Sequence, residues 1–344
     1  MDERGGTEPA RTERLYSPAT GWTALPGARA EPLLTADANP NGDYRKDNHT
    51  WLFGWTGGTV LQAGPSRAMN WYSTSGTGGV TPAGTRADDG DAMNGTAVMY
   101  DAGKILTVGG AASYENVNAT ASAYALSISG TTVTARRVGS MANARAFHNS
   151  VVLPDGKVVV LGGQNFPVPF SDNTAVLSAE LWDPVTEQFS TMASEAIPRT
   201  YHSVALLLPD ARVLSAGGGL CGAGCPTNHF DGQIFSPPYL FTEDGKAAPR
   251  PVITSAPARA GNGDTITVRT DREVTSFAIV RTGTATHSVD TDQRRLSLVP
   301  TAGTDGGYEV TIPADAGVAV PGYYMLFALD AKGVPSTAKF IKVG

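Results

Sequence analysis

The 344-residue sequence predicts an all-β fold, an incomplete β-propeller followed by a β-sandwich. Three observations carry that expectation. Short apolar runs ending in glycine recur at intervals of about 45–55 residues over the first two thirds of the chain, a spacing that fits sheets arranged around an axis. The last hundred or so residues are short strands separated by turn residues, without a helical period. The composition, with 40 Gly, 23 Pro, 41% apolar and only 17% charged residues, suits many short strands joined by tight turns around a large core.

The repeats emerge by counting from a polar residue to the glycine that closes the following strand. His49 to Gly64, Asn94 to Gly109, His148 to Gly163 and His202 to Gly217 are each fifteen residues apart. The segments read HTWLFGWTGGTVLQAG, NGTAVMYDAGKILTVG, HNSVVLPDGKVVVLGG and HSVALLLPDARVLSAG: an apolar strand, a turn, a second apolar strand, then glycine. One slot therefore holds His49, Asn94, His148 and His202. In a closed ring such slots converge on the axis, where imidazoles suit a metal. Later in a repeat comes a spaced aromatic pair, Tyr16 and Trp22 or Trp182 and Phe189, so the unit resembles a kelch blade of four antiparallel strands. Only about four and a half blades fit before residue 240, at the low end of the roughly 4–8 with which propellers close. An open half-ring exposes apolar edges, so either the chain closes a small ring or blades are missing.

The domain reading is a disordered segment over 1–10, a partial propeller over 11–240 and a sandwich over 241–344. The repeats stop in a Pro-rich linker, PPYLFTEDGKAAPRP (Pro237 to Pro251). Beyond it TITVRT, SFAIVR, LSLVP, YEVTIP, YYMLFALD and KFIKVG read as strands of an immunoglobulin-like sandwich. Between two of them, RTGTATHSVDTDQRR (Arg281 to Arg295) is a long polar excursion holding His287.

A net charge of −6 and the lack of a basic patch with interleaved aromatics argue against nucleic acid. No apolar run approaches a membrane span. The charged start, MDERGGTEPARTERLY, lacks the apolar stretch of a signal peptide. Cys221 and Cys225, in GGGLCGAGCP, read as a local disulfide, which implies an oxidising compartment, or as two free thiols; only His229 stands nearby for a zinc reading.

Several longer strings together resemble the galactose oxidase family of copper radical oxidases. They are TADANPNGDYRKDNHTWLFGW, QAGPSRAMNWY, RTYHSVALLLPD, GGGLCGAGCPTNHFDGQIFSPPYL, GTATHSVDTDQRR and PGYYMLFALDAKGVPS, in order over nearly the whole chain. The resemblance implies a seven-bladed kelch propeller, with a finger from the last domain delivering a histidine to copper. It implies Tyr201, His202 and His287 as copper ligands, with Tyr201 also the general base. It implies Arg45 and Phe170 as sugar contacts, Tyr114 as an outer-sphere tyrosine, and Cys221–Cys225 as a disulfide. Glu115 stands where a sugar-contacting glutamine is expected, and Asn94 replaces a cysteine beside the site. The family's cross-linked tyrosine–cysteine cofactor, and the indole over it, are expected upstream of the region covered. The chain thus reads as the C-terminal half of a longer, secreted, monomeric oxidase.

Two imidazoles and a phenolate suit Cu(II). The implied reaction takes a primary alcohol, carbohydrate foremost, to an aldehyde while O2 becomes H2O2. Without the radical half, the chain alone should bind copper weakly and not turn over. Blander readings stand beside these. His49 and His148 read as structural hydrogen-bonding residues, His229 as a loop brace, Arg45 as a salt-bridge partner and Phe170 as packing. The competing function is a non-catalytic module that binds glycan or protein.

Overall fold

The computed structural model describes residues 12–37, 48–303 and 306–344, and it is all-β. A hairpin of β1 (Thr12–Ser17) and β2 (Gly21–Arg29) comes first, with Tyr16 opposite Trp22 and their rings 5.2 Å apart. Three antiparallel sheets of four strands follow, each in up-and-down order. The first holds β3 (Trp51–Trp55), β4 (Thr59–Gly64), β5 (Ala68–Ser73) and β6 (Gly79–Thr85). The second holds β7 (Thr96–Asp101), β8 (Lys104–Val108), β9 (Ala123–Ser129) and β10 (Thr132–Arg137). The third holds β11 (Ala146–Val152), β12 (Val158–Gln164), β13 (Ser178–Asp183) and β14 (Gln188–Ser194). A three-stranded sheet of β15 (Ser203–Leu207), β16 (Val213–Gly217) and β17 (Gly232–Phe235) ends the repeat region.

In each four-stranded sheet the last strand is the least buried. β11 and β12 are buried along their whole length, whereas β6, β10 and β14 are mostly exposed. Neighbouring sheets sandwich the inner strands, so both strand faces are apolar and VVLPDGKVVVLGG shows no clean alternation. Successive sheets share cores. Phe53 and Leu61 pack with Met99 and Ile105, Val98 and Leu106 with Val158 and Trp182, and Val159 and Leu161 with Ala205 and Val213. Each such side chain removed from water contributes roughly 1.5–3 kcal/mol.

Three buried arginines in the links between sheets each fasten their link to one sheet. Arg145, fully buried, donates from Nη1 to Gly162 O (2.9 Å) and from Nη2 to Glu180 Oε1 (2.6 Å), which is also fully buried. Arg199 donates to Gly217 O (3.0 Å) and pairs with Asp231 (2.9 Å), while Arg86 donates to Ala63 O (3.1 Å) and pairs with Asp89 (2.9 Å). Each guanidinium thus caps a carbonyl near the end of a second strand and leaves few buried polar atoms unpaired. The sequence reading did not single out these arginines.

The repeating slot needs a correction of one residue. Asn94, Phe147 and His202 share a left-handed backbone, with φ of 58°, 58° and 65°. Each stands fifteen residues ahead of a glycine that is also left-handed: Gly109 (63°), Gly162 (66°) and Gly217 (73°). His148 lies one residue further on and points the other way. It is fully buried, with Nε2 3.0 Å from Thr96 Oγ1. Phe147, not His148, is the partner of His202 in the third sheet.

The last part of the chain is a two-sheet sandwich. Its strands are β18 (Ile253–Ser255), β19 (Arg259–Ala260), β20 (Thr265–Thr270), β21 (Ser276–Arg281), β22 (Arg295–Leu298), β23 (Thr301–Ala302), β24 (Tyr308–Thr311), β25 (Gly322–Leu329) and β26 (Lys339–Val343). One sheet runs β18-β20-β24-β23, the other β19-β26-β25-β21-β22. Phe277 and Ile279 face the sandwich core with Val268, Leu326 and Ile341. The alternate residues Ala278 and Val280 join Val158 and Trp182 of the repeat region. The central FAIV of SFAIVR is apolar without alternation because β21 is buried on both faces there.

Candidate metal centre

The polar excursion in the last domain is the hairpin between β21 and β22, which pair directly through Phe277–Leu298 to Val280–Arg295. Its base is clamped to three sheets of the repeat region. Gln293 accepts from Val152 N–H (2.9 Å) and donates to Ser150 O (2.8 Å), so its amide pairs with β11 as an added strand would. Arg294 donates to Gly54 O of β3 (3.3 Å) and bridges in parallel to Met99 of β7. At the tip, Thr286 and Val289 exchange both backbone hydrogen bonds (3.0 and 2.9 Å) around a two-residue turn. The turn residues are His287 (φ 49°) and Ser288 (φ 67°). Such turns favour glycine or asparagine at left-handed positions, so a histidine there is strained backbone of the kind that collects at functional sites.

This tip brings His287 to Tyr201 and His202, which sit in the turn entering β15. His202 Nε2 and His287 Nε2 are 3.1 Å apart, with their rings near perpendicular. Tyr201 stacks on His202 at 3.9 Å between centroids and lies 5.8 Å from His287. Tyr114 donates its hydroxyl to Tyr201 Oη at 2.9 Å. Phe147 packs on Tyr201 at 5.0 Å, and Phe170, 44% exposed, covers Tyr201 at 5.1 Å and His202 at 5.7 Å. Asn94 is buried and donates from Nδ2 to Tyr114 O (2.8 Å). Its buried Oδ1 has no hydrogen-bond partner among the described residues. Glu115 is half-buried beside Tyr114.

The far sides of both imidazoles are engaged. His202 Nδ1 is 2.7 Å from Gly219 O, and His287 Nδ1 is 2.7 Å from Thr286 Oγ1. A carbonyl only accepts, so a neutral His202 carries its proton on Nδ1 and presents the Nε2 lone pair to the cluster. Two facing imidazole nitrogens 3.1 Å apart fit two adjacent donors on one ion, given imidazole–metal bonds of about 2.0–2.1 Å. Among the described residues no three His, Cys, Asp or Glu side chains gather around a metal position. The donor set is therefore imidazole plus phenol, which matches the N and O preference of Cu(II).

Of the residues singled out from sequence, Tyr201, His202, His287, Tyr114, Phe170 and Asn94 converge here. Arg45 lies outside the described residues. Cys221 and Cys225 form a disulfide. His229 braces its loop through Asp172 Oδ2 at 3.0 Å. Two residues at the cluster were passed over as contributors. His49 lies 4.8 Å from His287 and 6.1 Å from Tyr114, and Phe147 was hidden by the one-residue slip.

Fold and site together define an all-β protein with a mixed histidine–tyrosine centre where the last domain meets the repeat region. The description "Galactose oxidase-like, Early set domain" matches residues 250–343, and "Glyoxal oxidase N-terminus" matches residues 92–223. Galactose oxidase of Gibberella zeae is 48% identical over 340 residues, 96% of this chain and 50% of the relative. An aldehyde oxidase of Vitis pseudoreticulata is 35% identical over 219 residues, 58% of this chain and 41% of the relative. Among solved structures, a fungal alcohol oxidase of the AA5 family in complex with copper superposes with a TM-score of 0.93 at 46% identity. That match covers 97% of this chain and 70% of the oxidase. The chain belongs to the galactose oxidase family of copper radical oxidases. It spans about half the length of the galactose oxidase it matches.

Proposed function

We propose that this chain forms the copper-binding half of a radical alcohol oxidase, with His202, His287 and Tyr201 as ligands. The observation that carries the reading is the 3.1 Å approach of His202 Nε2 to His287 Nε2 beside the Tyr201 phenol. Bound copper supplies Lewis acidity toward an alcohol oxygen and a one-electron acceptor. Tyr201 Oη, which accepts from the Tyr114 hydroxyl, is the group we assign to take the alcohol proton. The half-exposed Phe170 ring stands at the mouth, where a sugar or other primary alcohol would pack, and Glu115 accepts hydroxyl hydrogen bonds. Carbohydrate is the substrate class this reading favours, with O2 as oxidant and H2O2 as co-product.

Both cysteines are used in the Cys221–Cys225 disulfide, so a thioether-forming cysteine is not among these 344 residues. We infer that the chain by itself binds copper without turning over. Secretion accords with the disulfide, and a monomer is the state expected.

Anaerobic Cu(II) titration followed by electron paramagnetic resonance tests the assignment. One equivalent with nitrogen hyperfine structure is expected, lost in His202→Ala and His287→Ala. Equal binding by wild type and both variants overturns it, and a glycan- or protein-binding module then becomes the reading to pursue.

A further inference from the structure

The tautomer of His202 is set by Gly219, and Gly219 is held by a loop whose closing residue has no part in the ligand set. Gly219 clamps the Tyr201–His202 pair from both sides. Its carbonyl faces His202 Nδ1 at 2.7 Å and its N–H donates to Tyr201 O at 2.9 Å. The chain then loops out over 220–227 and returns directly onto Gly219. A Cβ on Gly219 (φ 86°) would lie 2.3 Å from Thr227 O and 2.7 Å from Asn228 Oδ1.

Asn228 is the rung of that loop. Its Oδ1 accepts from Cys221 N–H (3.2 Å), its Nδ2 donates to Gly222 O (2.8 Å), and its own N–H donates to Cys225 O (3.1 Å). One side chain thus ties the outgoing limb to the returning one, alongside the disulfide that closes the same loop. The returning limb is also tied to the segment that carries Phe170, through Thr227 Oγ1 to Phe170 O (3.2 Å) and His229 Nε2 to Asp172 Oδ2 (3.0 Å). The position of the Gly219 carbonyl therefore depends on a loop fastened at the site's rim.

We propose that Asn228 is a positioning residue for the metal ligand His202. It fixes the Gly219 carbonyl, which keeps the imidazole proton on Nδ1 and the Nε2 lone pair aimed at the ion. The inference rests on the copper reading above for its metal arm alone. Partners that orient a ligating histidine typically account for 10–100-fold in metal affinity.

Two variants of the full chain test it, Asn228→Ala and Asn228→Asp, the latter retaining the Oδ1 acceptor. Imidazole 15N shifts in the metal-free protein report the His202 tautomer without any metal. Nδ1–H is expected in wild type, a tautomer mixture in Asn228→Ala, and a state nearer wild type in Asn228→Asp. Cu(II) competition titration should then show affinity falling 10–100-fold in Asn228→Ala with altered hyperfine coupling. An unchanged tautomer and unchanged copper affinity in a variant of lower thermal stability would make Asn228 merely structural and overturn the proposal. If wild type binds no copper but the tautomer responds as expected, the positioning stands and the copper reading fails. Should Asn228→Ala not fold, Asn228→Leu, which keeps the side-chain bulk but removes both the Cys221 and the Gly222 hydrogen bonds, carries both measurements, with wild-type values in each refuting the role.

Discussion

His148 makes the stability of this protein fall in acid by an amount the structure allows to be worked out. The ring is fully buried beside Thr96, and burial, assisted by the Arg145 charge, lowers its pKa from 6.5 to about 3. Between those values the unfolded chain holds a proton that the folded chain refuses. Stability from this group is therefore complete above pH 6.5 and is lost as pH falls toward 3. Each pH unit in that window is worth about 1.4 kcal/mol, so two units below 6.5 remove roughly 3 kcal/mol. Urea unfolding of wild type and His148→Gln at neutral pH and near pH 4.5 isolates the effect, because other titrating groups are common to both. Wild type should lose roughly 3 kcal/mol more than the variant over that interval. Equal losses, or a His148 ring that titrates near 6.5 in proton NMR, would refute the buried neutral assignment.

Three further outcomes follow from the packing. Arg145→Ala leaves Glu180 buried without its partner and should cost about 3–5 kcal/mol in chemical denaturation, whereas joint replacement of Arg145 and Glu180 by apolar residues should cost much less. Gly162→Ala places a Cβ 2.2 Å from Arg199 O on a left-handed backbone, and a melting temperature lowered by several degrees is expected in calorimetry. Gln293→Ala removes the amide clamp on β11, which should weaken Cu(II) binding while far-ultraviolet circular dichroism stays unchanged.

The fold was legible because the chain repeats its punctuation. Glycine after an apolar run marks the second strand of each sheet, and the spacing gave the sheet count. The aromatic pairs are cross-strand partners, as Tyr16 with Trp22 and Trp182 with Phe189 show. The slip at His148 came from a doubled glycine. Counting back fifteen residues from Gly163 gives His148, whereas the first glycine, Gly162, gives Phe147. In the neighbouring repeats the first glycine, Gly109 or Gly217, is the left-handed one that matters. Applied consistently, that rule would have found the ring that packs on Tyr201. His287 stood out because it lies in a long polar excursion between two strands, but its two-residue left-handed turn carries no glycine or asparagine signal. Gly219 and Asn228 were hidden for a different reason. Their role lies in where a carbonyl points, which depends on the return path of a loop rather than on residue type.

The two facing imidazoles come from halves of the chain that meet only when the finger is seated against β3, β7 and β11. An ion gripped by both is in effect a rivet between the domains. Mass action makes it a thermodynamic one: at a hundredfold excess over its dissociation constant, a ligand that binds only the seated state adds about 2.7 kcal/mol to that state. Loading and docking are then a single equilibrium observed from two ends. If the copper reading holds, a change that loosens the seat would read out as lost metal affinity, and chelation would in turn lower the stability of the seated state, which the shared core of Ala278 and Val280 with Val158 and Trp182 continues to hold.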